Sequence, residues 1–188
     1  MSRMLKLYKG NMIEYENLPL VDFYDNALRT PTKNWDFDAQ GIKETECIAF
    51  TLTTALERFG GLGLSANQLG LGYRVCVVNM GDTAWVMFNP KIIEQSEELS
   101  NYSEGCISYP GLYLKLDRSN QITVSFQAIG GQPVKHTFDG LTAVCVQHEL
   151  DHLDGIVYTD CVSPINLEKA KRKVKGNLKK IRRLSGVA

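Results

Sequence analysis

The stretch that most constrains this chain is a largely apolar run at residues 141–152, which carries a His-Glu-x-x-His sequence. It holds His148 and His152, two of the three histidines among the 188 residues. We predict a helix here, and residues four positions apart on a helix lie about 40° apart around its axis. Both imidazoles then face one point and can share a metal ion, with Glu149 in reach of a water bound to it. This arrangement is typical of a metal-activated hydrolase.

A third metal ligand has to come from elsewhere in the chain, and two side chains offer one. His136 lies on a predicted hairpin strand and shares a face with Val134 and Phe138, which suits a packed sheet histidine as well as a ligand. Cys106 offers a thiolate, a strong soft ligand for Zn²⁺ or Fe²⁺. The alternative is that the two helical histidines are hydrogen-bonded core residues. Against it, Glu149 between apolar neighbours is costly to bury without a partner.

Hydrophobic periodicity predicts a fold of short hairpins and helices. Residues 1–40 carry few periodic signals and are predicted to be extended or loop-rich, whereas residues 43–59 have helical spacing and end at a glycine pair. β-branched and aromatic runs between turn signals predict strands at residues 73–79, 83–88, 91–94, 122–128, 134–138 and 157–161. We expect Asn89 and Pro90 to end the hairpin that precedes them.

These elements predict an α+β fold in a single domain spanning residues 1–188. Small antiparallel or mixed sheets of short hairpins pack around a central buried helix that carries His-Glu-x-x-His, with Asp139 as its candidate cap, and a basic helix follows at the carboxy terminus.

The predicted carboxy-terminal helix, residues 166–183, concentrates positive charge. Residues 164–188 carry nine Lys or Arg against one Glu, a net charge of +8, and the rest of the chain carries −8 because the whole sums to zero. Such a run is either a solvated helix face or a surface that docks on a polyanion such as RNA, and both interpretations stay open. Its apolar side, expected to pack on the body, comprises Ile165, Leu167, Val174, Leu178, Ile181 and Leu184.

The composition excludes several classes of protein. The zero net charge gives the chain as a whole no general attraction for nucleic acid, and no apolar run approaches membrane-spanning length. The five cysteines are odd in number and scattered without CxxC pairs, which predicts reduced thiols in the cytosol. The amino terminus lacks the long apolar core of a secretion signal. We therefore expect a cytoplasmic protein with no membrane partner.

Three segments, taken together, resemble the signature motifs of the peptide deformylase family. They are GLGLSANQ at residues 61–68, EGCIS at residues 104–108 and QHELDH at residues 147–152, in the family's order and at compatible separations. Each motif alone is modest, whereas the ordered triple is highly specific. The resemblance implies a metal-dependent hydrolase that removes the formyl group from the initiator formyl-methionine of nascent polypeptides and releases formate.

The resemblance also implies the metal centre. Cys106, His148 and His152 are implied to hold one divalent ion, Fe²⁺ in most native members and exchangeable for Zn²⁺, Ni²⁺ or Co²⁺. Water takes the fourth position. Glu149 is implied as the general base that activates this water and then as the general acid that protonates the departing amine.

Further roles are carried over on the same resemblance. The side-chain amide of Gln68 and the backbone N–H of Ile107 are implied to stabilise the oxyanion as the formyl carbon becomes tetrahedral. Glu104 is expected to be a structural acid near the metal, with Arg118 as its candidate partner. The methionine side chain is implied to enter an apolar pocket formed by residues at the matching positions, which are Leu62, Gly63, Ile107, Cys145 and His148.

The sequence departs from the family pattern at two places. Ser65 stands where the family usually has alanine, and both residues are small. The segment after Ser108 lacks the arginine that many bacterial members carry near position 113, so recognition of peptide residues beyond the first two is not implied.

Two alternatives are a zinc endopeptidase, which also uses His-Glu-x-x-His, and a non-catalytic protein that docks on RNA or ribosomes through the basic helix. The endopeptidase leaves Gln68 unexplained, and the intact Glu149 and Cys106 argue against a non-catalytic protein.

Overall fold

Two antiparallel sheets and three α-helices make up the described part of the chain, residues 17–184, in this computed structural model. Side chains are described as far as residue 177, and the predictions for residues 1–16 lie outside the described range. In chain order the elements are α1 (Phe37–Phe59), β1 (Gly63–Ser65), β2 (Val75–Asn79), β3 (Ala84–Gln95), β4 (Leu99–Cys106), β5 (Tyr109–Ser119), β6 (Gln121–Gln127), β7 (Pro133–Asp139), α2 (Gly140–Leu153) and α3 (Pro164–Leu184). Short 3-10 helices lie at Asn26–Arg29, Ala66–Leu69 and Tyr158–Cys161.

The larger sheet has five strands in the order β1-β2-β3-β6-β7, and the smaller sheet is the β4–β5 hairpin. Neighbouring strands pair antiparallel throughout both sheets. The hairpin of β6 and β7 turns at Gly131, whose φ of 81° is in the left-handed region that favours glycine. The predicted α+β class with antiparallel sheets is confirmed, although the β4–β5 hairpin itself was not predicted.

Most of α2 is buried, because it contacts strands of both sheets. The helix begins at Gly140, where φ is 52° and a side chain would be strained. Asp139 occupies the capping position, but its side chain makes no capping hydrogen bond. The face against the five-stranded sheet is formed by Ala143, Val146, Leu150 and Leu153.

One long strand, β3, replaces the two strands predicted at residues 83–88 and 91–94. Asn89 adopts a left-handed φ of 53°, and the pairing of β3 with β6 shifts register beside it. A bulge leaves a ladder position unpaired, so Pro90 can follow without a missing hydrogen bond. The Asn89 side chain accepts a hydrogen bond from the Trp35 N–H at 2.7 Å and fixes the bulge. The pairing of β3 with β2 stops at Phe88, as predicted, but the prediction of a separate strand after Pro90 is wrong, because β3 continues to Gln95.

The strand predicted at residues 157–161 is also wrong, because Tyr158–Cys161 is a 3-10 helix. The Tyr158 ring is buried, and its hydroxyl donates to the Leu112 carbonyl at 2.9 Å. Val, Tyr and Thr favour strands, but here the packing of one large side chain overrides that preference.

The first helix, α1, begins within the region predicted to be loop-rich. The Asp36 side chain accepts from two backbone N–H groups and caps a first turn that starts at Phe37. Gly41, with φ 77° and ψ 171°, then interrupts the helical conformation before the predicted part of the helix. The helix ends at Gly60 in a left-handed conformation, as predicted.

The carboxy-terminal helix α3 packs on the small sheet. Its Leu167, Ala170 and Val174 contact a core that contains Leu114 and Leu116 of β5. Ile165 is mostly exposed and does not belong to this packed face, while the side chains of residues 178, 181 and 184 lie outside the described range. Among the helices of the described chain, none combines the length and apolar content that crossing a bilayer requires.

Candidate metal centre

Three side chains from two elements bring their donor atoms together beside α2. The ligand atoms of Cys106, at the end of β4, and of His148 and His152, on α2, all lie within 4.8 Å of one another. The Sγ atom of Cys106 is 3.2 Å from Nε2 of His152. Ligands bound at 2.0–2.3 Å to a tetrahedral ion lie roughly 3.5 Å apart, so small side-chain shifts suffice to hold one ion. No second group of this kind occurs in the part of the chain that the structure describes.

The orientation of His148 is set by a chain of charged partners. Its Nδ1 lies 3.0 Å from a carboxylate oxygen of Glu104, which leaves Nε2 for a metal ion. Arg118 of β5 donates to both oxygens of the same carboxylate, at 2.8 and 3.1 Å. The guanidinium also donates to Asp151 of α2 at 2.6 Å. The predicted pairing of Glu104 with Arg118 is confirmed.

Burial and neighbouring charges shift the pKa values of the two helical histidines in opposite directions. Burial lowers the pKa of His148, but interactions with Cys106 and Glu104 outweigh it and raise the pKa to about 10. Burial and the charge of His148 lower the pKa of His152 to about 3. The structure therefore favours a neutral His152, while a cation that binds His148 has to displace a proton.

Glu149 follows His148 on α2 and is 3% exposed as a residue. Its Oε2 atom has no hydrogen-bond partner. Burial raises the pKa of Glu149 to about 7, although the charge of His148 and the Ser65 hydroxyl act to lower it. A buried carboxylate with a free oxygen is poised to accept a proton from water in the adjoining space.

The amide of Gln68 is held at both ends. Its Oε1 accepts from the N–H and the hydroxyl of Ser65, at 2.9 and 3.0 Å. Its Nε2 donates to the Ser108 hydroxyl at 3.0 Å and lies 3.4 Å from Sγ of Cys106. With the oxygen and one amide proton engaged, the second proton points toward the metal-ligand cluster.

A cavity of about 430 Å³ opens beside these groups. Gly61 and Gly63 allow its walls to approach closely: a Cβ at position 61 would lie 2.3 Å from Cδ1 of Ile107, and one at position 63 would lie 2.6 Å from Oε1 of Glu149. The cavity brings together all five residues predicted to receive methionine, which are Leu62, Gly63, Ile107, Cys145 and His148.

Comparison with known proteins identifies the family. The family model described as polypeptide deformylase matches residues 17–168. The chain belongs to the peptide deformylase family. A curated relative, peptide deformylase 2 of Xanthomonas axonopodis pv. citri (strain 306), is 35% identical over 161 residues, which cover 84% of this chain and 94% of that protein.

Solved structures of peptide deformylases share the fold. The enzyme from Synechococcus elongatus, crystallised in complex with actinonin, superposes with a TM-score of 0.77 at 32% identity and covers 84% of this chain and 86% of its own. A probable peptide deformylase from Synechococcus phage S-SSM7 gives a TM-score of 0.73 at 35% identity, over 78% of this chain and 100% of its own. The predicted enzyme class is confirmed, and the endopeptidase and non-catalytic alternatives lose their support.

Two side chains around the centre were missed from the sequence, and one candidate ligand lies elsewhere. His136 packs its ring against Trp85 and Phe138, with centroids 4.8 and 4.7 Å away, and is not part of the ligand cluster.

No role followed from the sequence for Ser108, which accepts a hydrogen bond from Gln68, or for Asp151, which accepts one from Arg118. Both lie inside the signature motifs, and that position was the available signal.

Proposed function

We propose that this family member is a metal-dependent hydrolase that removes the N-terminal formyl group from formyl-methionine of nascent polypeptides and releases formate. The observation that carries the proposal is the convergence of the Cys106, His148 and His152 donors within 4.8 Å, beside a Glu149 carboxylate whose Oε2 has no partner. Membership of the peptide deformylase family supports the same substrate class.

The donor set fits a divalent transition metal. One thiolate and two imidazoles suit Fe²⁺ and Zn²⁺, and three protein ligands leave a coordination position free. We propose Fe²⁺ as the cellular metal, on the resemblance to the family, with Zn²⁺, Ni²⁺ or Co²⁺ as substitutes. When bound, such an ion supplies Lewis-acid activation of water and of the formyl oxygen.

Glu149 is proposed to move the proton. Its carboxylate accepts a proton from water as the water oxygen bonds to the formyl carbon, and then delivers that proton to the methionine nitrogen as the C–N bond breaks. Formate and a free amino terminus result. Because burial raises the pKa of Glu149 to about 7, the group can take up and release a proton near neutral pH.

Gln68 and Ile107 are proposed to stabilise the developing charge. The Nε2 atom of Gln68 lies 3.4 Å from Sγ of Cys106, and this contact supports its proposed role as a donor to the formyl oxygen. The backbone N–H of Ile107 is proposed as the second donor. Hydrogen bonds fixed before the reaction stabilise the oxyanion without reorganisation during it.

The methionine side chain is proposed to occupy the cavity beside the cluster. Gly63 brings the backbone of β1 against Glu149, where the peptide can add to the strand edge. The proposed contacts are Leu62, Gly63, Ile107, Cys145 and His148.

The test is formate release from formyl-Met peptides by iron- or nickel-loaded enzyme protected from air. We expect about one metal ion per chain, and no formate from such a sample would contradict the proposal. Glu149→Gln should keep the metal and lose about 100-fold or more in kcat, because it removes the proton acceptor. Near-normal turnover by this variant would exclude Glu149 as the base.

The basic helix α3 is proposed to dock on the ribosome. In its described part five cations are exposed, Lys169, Lys171, Arg172, Lys173 and Lys175, whereas Val174 packs on the body. Deleting residues 164–188 would remove packing together with charge, so the sharper variant replaces three of these cations, Arg172, Lys173 and Lys175, by Gln. We expect weaker, salt-sensitive ribosome binding with unchanged stability. Equal ribosome binding by this triple variant and the unchanged enzyme at low salt would contradict the docking role and show that α3 only packs on the rest of the protein.

We further propose that residues 1–188 form a single domain that acts in the cytoplasm. Formylated nascent chains, its proposed substrates, arise there, and the scattered, unpaired cysteines suit a reducing compartment.

A further inference from the structure

The side chain of Gln68 needs anchors before its amide can act as a fixed hydrogen-bond donor. Gln68 lies in the short 3-10 helix Ala66–Leu69 and is buried. A glutamine side chain has several rotatable bonds, and holding them in one conformation costs entropy. The backbone position alone therefore leaves the amide free to turn, and neighbouring groups have to hold it.

Ser65 supplies two of these anchors from a single residue. It is the last residue of β1, is fully buried, and has an extended backbone with φ −98° and ψ 149°. Pairing with Cys76 of β2 fixes this backbone. The N–H and the hydroxyl of Ser65 both donate to Oε1 of Gln68, at 2.9 and 3.0 Å. A carbonyl oxygen has two lone pairs, so both are engaged by one residue.

The backbone N–H of Ser65 determines which end of the Gln68 amide faces Cys106. An amide turned end for end would place its NH2 group against this N–H, which cannot accept a hydrogen bond. It would also place Oε1 beside Sγ of Cys106, a second electron-rich atom. The observed orientation avoids both contacts, with Nε2 lying 3.0 Å from the Ser108 hydroxyl and 3.4 Å from Sγ of Cys106.

The hydroxyl of Ser65 adds two effects that the N–H alone does not provide. A second bond to Oε1 restricts the swing of the amide about the first bond. A donor on the oxygen also polarises the amide group, so that its N–H protons become stronger donors. Both effects improve a donor whose value depends on being in place before charge develops.

We propose that the Ser65 hydroxyl is a positioning group for Gln68, which it holds and polarises so that Nε2 donates to the oxyanion formed at the formyl carbon. The proposal rests on the proposed deformylase activity and adds a residue to its machinery. Ser65 acts through Gln68 and does not itself contact the substrate. Its hydroxyl carries one proton, and Glu149 is the competing acceptor nearby.

A double-mutant cycle separates these two acceptors. It compares Ser65→Ala, Gln68→Leu and the double variant through kcat and KM for formate release from formyl-Met-Ala-Ser by nickel-loaded enzyme. Ser65→Ala should lower kcat about fivefold, the effect of one neutral hydrogen bond, and leave KM nearly unchanged because the oxyanion exists only in the transition state. Gln68→Leu should lower kcat about 100-fold or more.

The double variant should match Gln68→Leu alone, because Ser65 has nothing left to position once the amide is gone. A further fivefold loss in the double variant would overturn the proposal and show that the hydroxyl acts on Glu149 or on packing. The matched control is Thr51→Val, which removes a buried hydroxyl that donates to the Cys47 carbonyl within α1 at 2.8 Å. This variant should keep the kcat of the unchanged enzyme.

A second measurement does not depend on turnover or on the folding of Gln68→Leu. Solvent exchange of the Gln68 side-chain amide protons is followed by NMR in zinc-loaded protein. We expect exchange about fivefold faster in Ser65→Ala, because one hydrogen bond no longer holds the amide, and no change in Thr51→Val. Equal exchange in Ser65→Ala and the unchanged protein would overturn the positioning role. No formate from the unchanged enzyme, with exchange as expected, would instead contradict the deformylase activity alone.

Discussion

At the scale of single residues, Gly63 determines how closely β1 approaches Glu149. A Cβ there would lie 2.6 Å from Oε1 of Glu149 and 2.9 Å from Sγ of Cys145, so Gly63→Ala forces the carboxylate to move. We expect kcat/KM to fall about 100-fold, since a shift of about 1 Å in a catalytic group has that effect. Metal content and the circular dichroism spectrum should stay unchanged.

A second glycine provides the control for this substitution. Gly176 lies in α3, and a Cβ there would meet nothing within 4 Å. Gly176→Ala should leave activity unchanged and favour the helix by up to about 1 kcal/mol. Full activity in both variants would mean that Glu149 tolerates displacement.

Residue identities near the centre were predictable where they are close in sequence. Helical spacing alone placed His148 and His152 on one face, and charge suggested the pairing of Glu104 with Arg118. The contact of Ser108 with Gln68 joins residues 40 positions apart. A serine has no charge to indicate a distant partner, so that contact became visible only in the fold.

At the scale of elements, Arg118 ties two strands and a helix together. Its guanidinium bonds Glu104 of β4 and Asp151 of α2 from its own strand, β5, and its side chain is 10% exposed. Arg118→Met leaves two largely buried carboxylates without their cation, so we expect the free energy of unfolding to fall by about 3 kcal/mol. Urea denaturation of the metal-free protein measures this loss.

The control removes an exposed ion pair of the same kind. Lys135 and Glu94 join β7 and β3, with side chains 59% and 65% exposed. Lys135→Met should change stability by less than about 0.5 kcal/mol, because water screens such pairs. A similarly small change in Arg118→Met would show that the ion pairs of Arg118 do not stabilise the contact between the β4–β5 hairpin and α2.

The errors in element prediction share a physical cause. Asn89 and Pro90 end the pairing of β3 with β2 and suggested that a new strand follows, yet the side chain of Asn89 binds Trp35 at a bulge through which β3 continues. Tyr158 favours a strand by composition, but its buried ring and its bond to Leu112 fix a 3-10 turn. In both cases a long-range contact decides the backbone, and local sequence cannot report it.

At the scale of the whole molecule, the basic segment predicted at the carboxy terminus forms a helix whose described cations are exposed. The basic α3 packs on β5 through Leu167, Ala170 and Val174, with its described cations on the outside. The α+β class followed from the periodicity of the sequence. The packing of the two sheets against α2 could not be predicted from that periodicity, because it depends on how side chains from distant segments fill one core.

The ligand cluster joins the small sheet to α2, since Cys106 ends β4 while His148 and His152 lie on the helix. A metal ion at this cluster stabilises the fold, because it binds the folded chain and not the unfolded one. At a free metal concentration a thousandfold above Kd, the free energy of unfolding rises by about 4 kcal/mol and Tm by roughly 10 °C. We expect a chelator to lower Tm by that amount in calorimetry, and Cys106→Ser to reduce the difference. An unchanged Tm would contradict this coupling.

The same ion would therefore act as a cross-link between two parts of the molecule that are distant in sequence. A copy that lacks metal would be inactive and would also open more often, which exposes it to proteases. Under metal starvation the cell would then clear idle copies first, so the abundance of the enzyme would follow the supply of its metal.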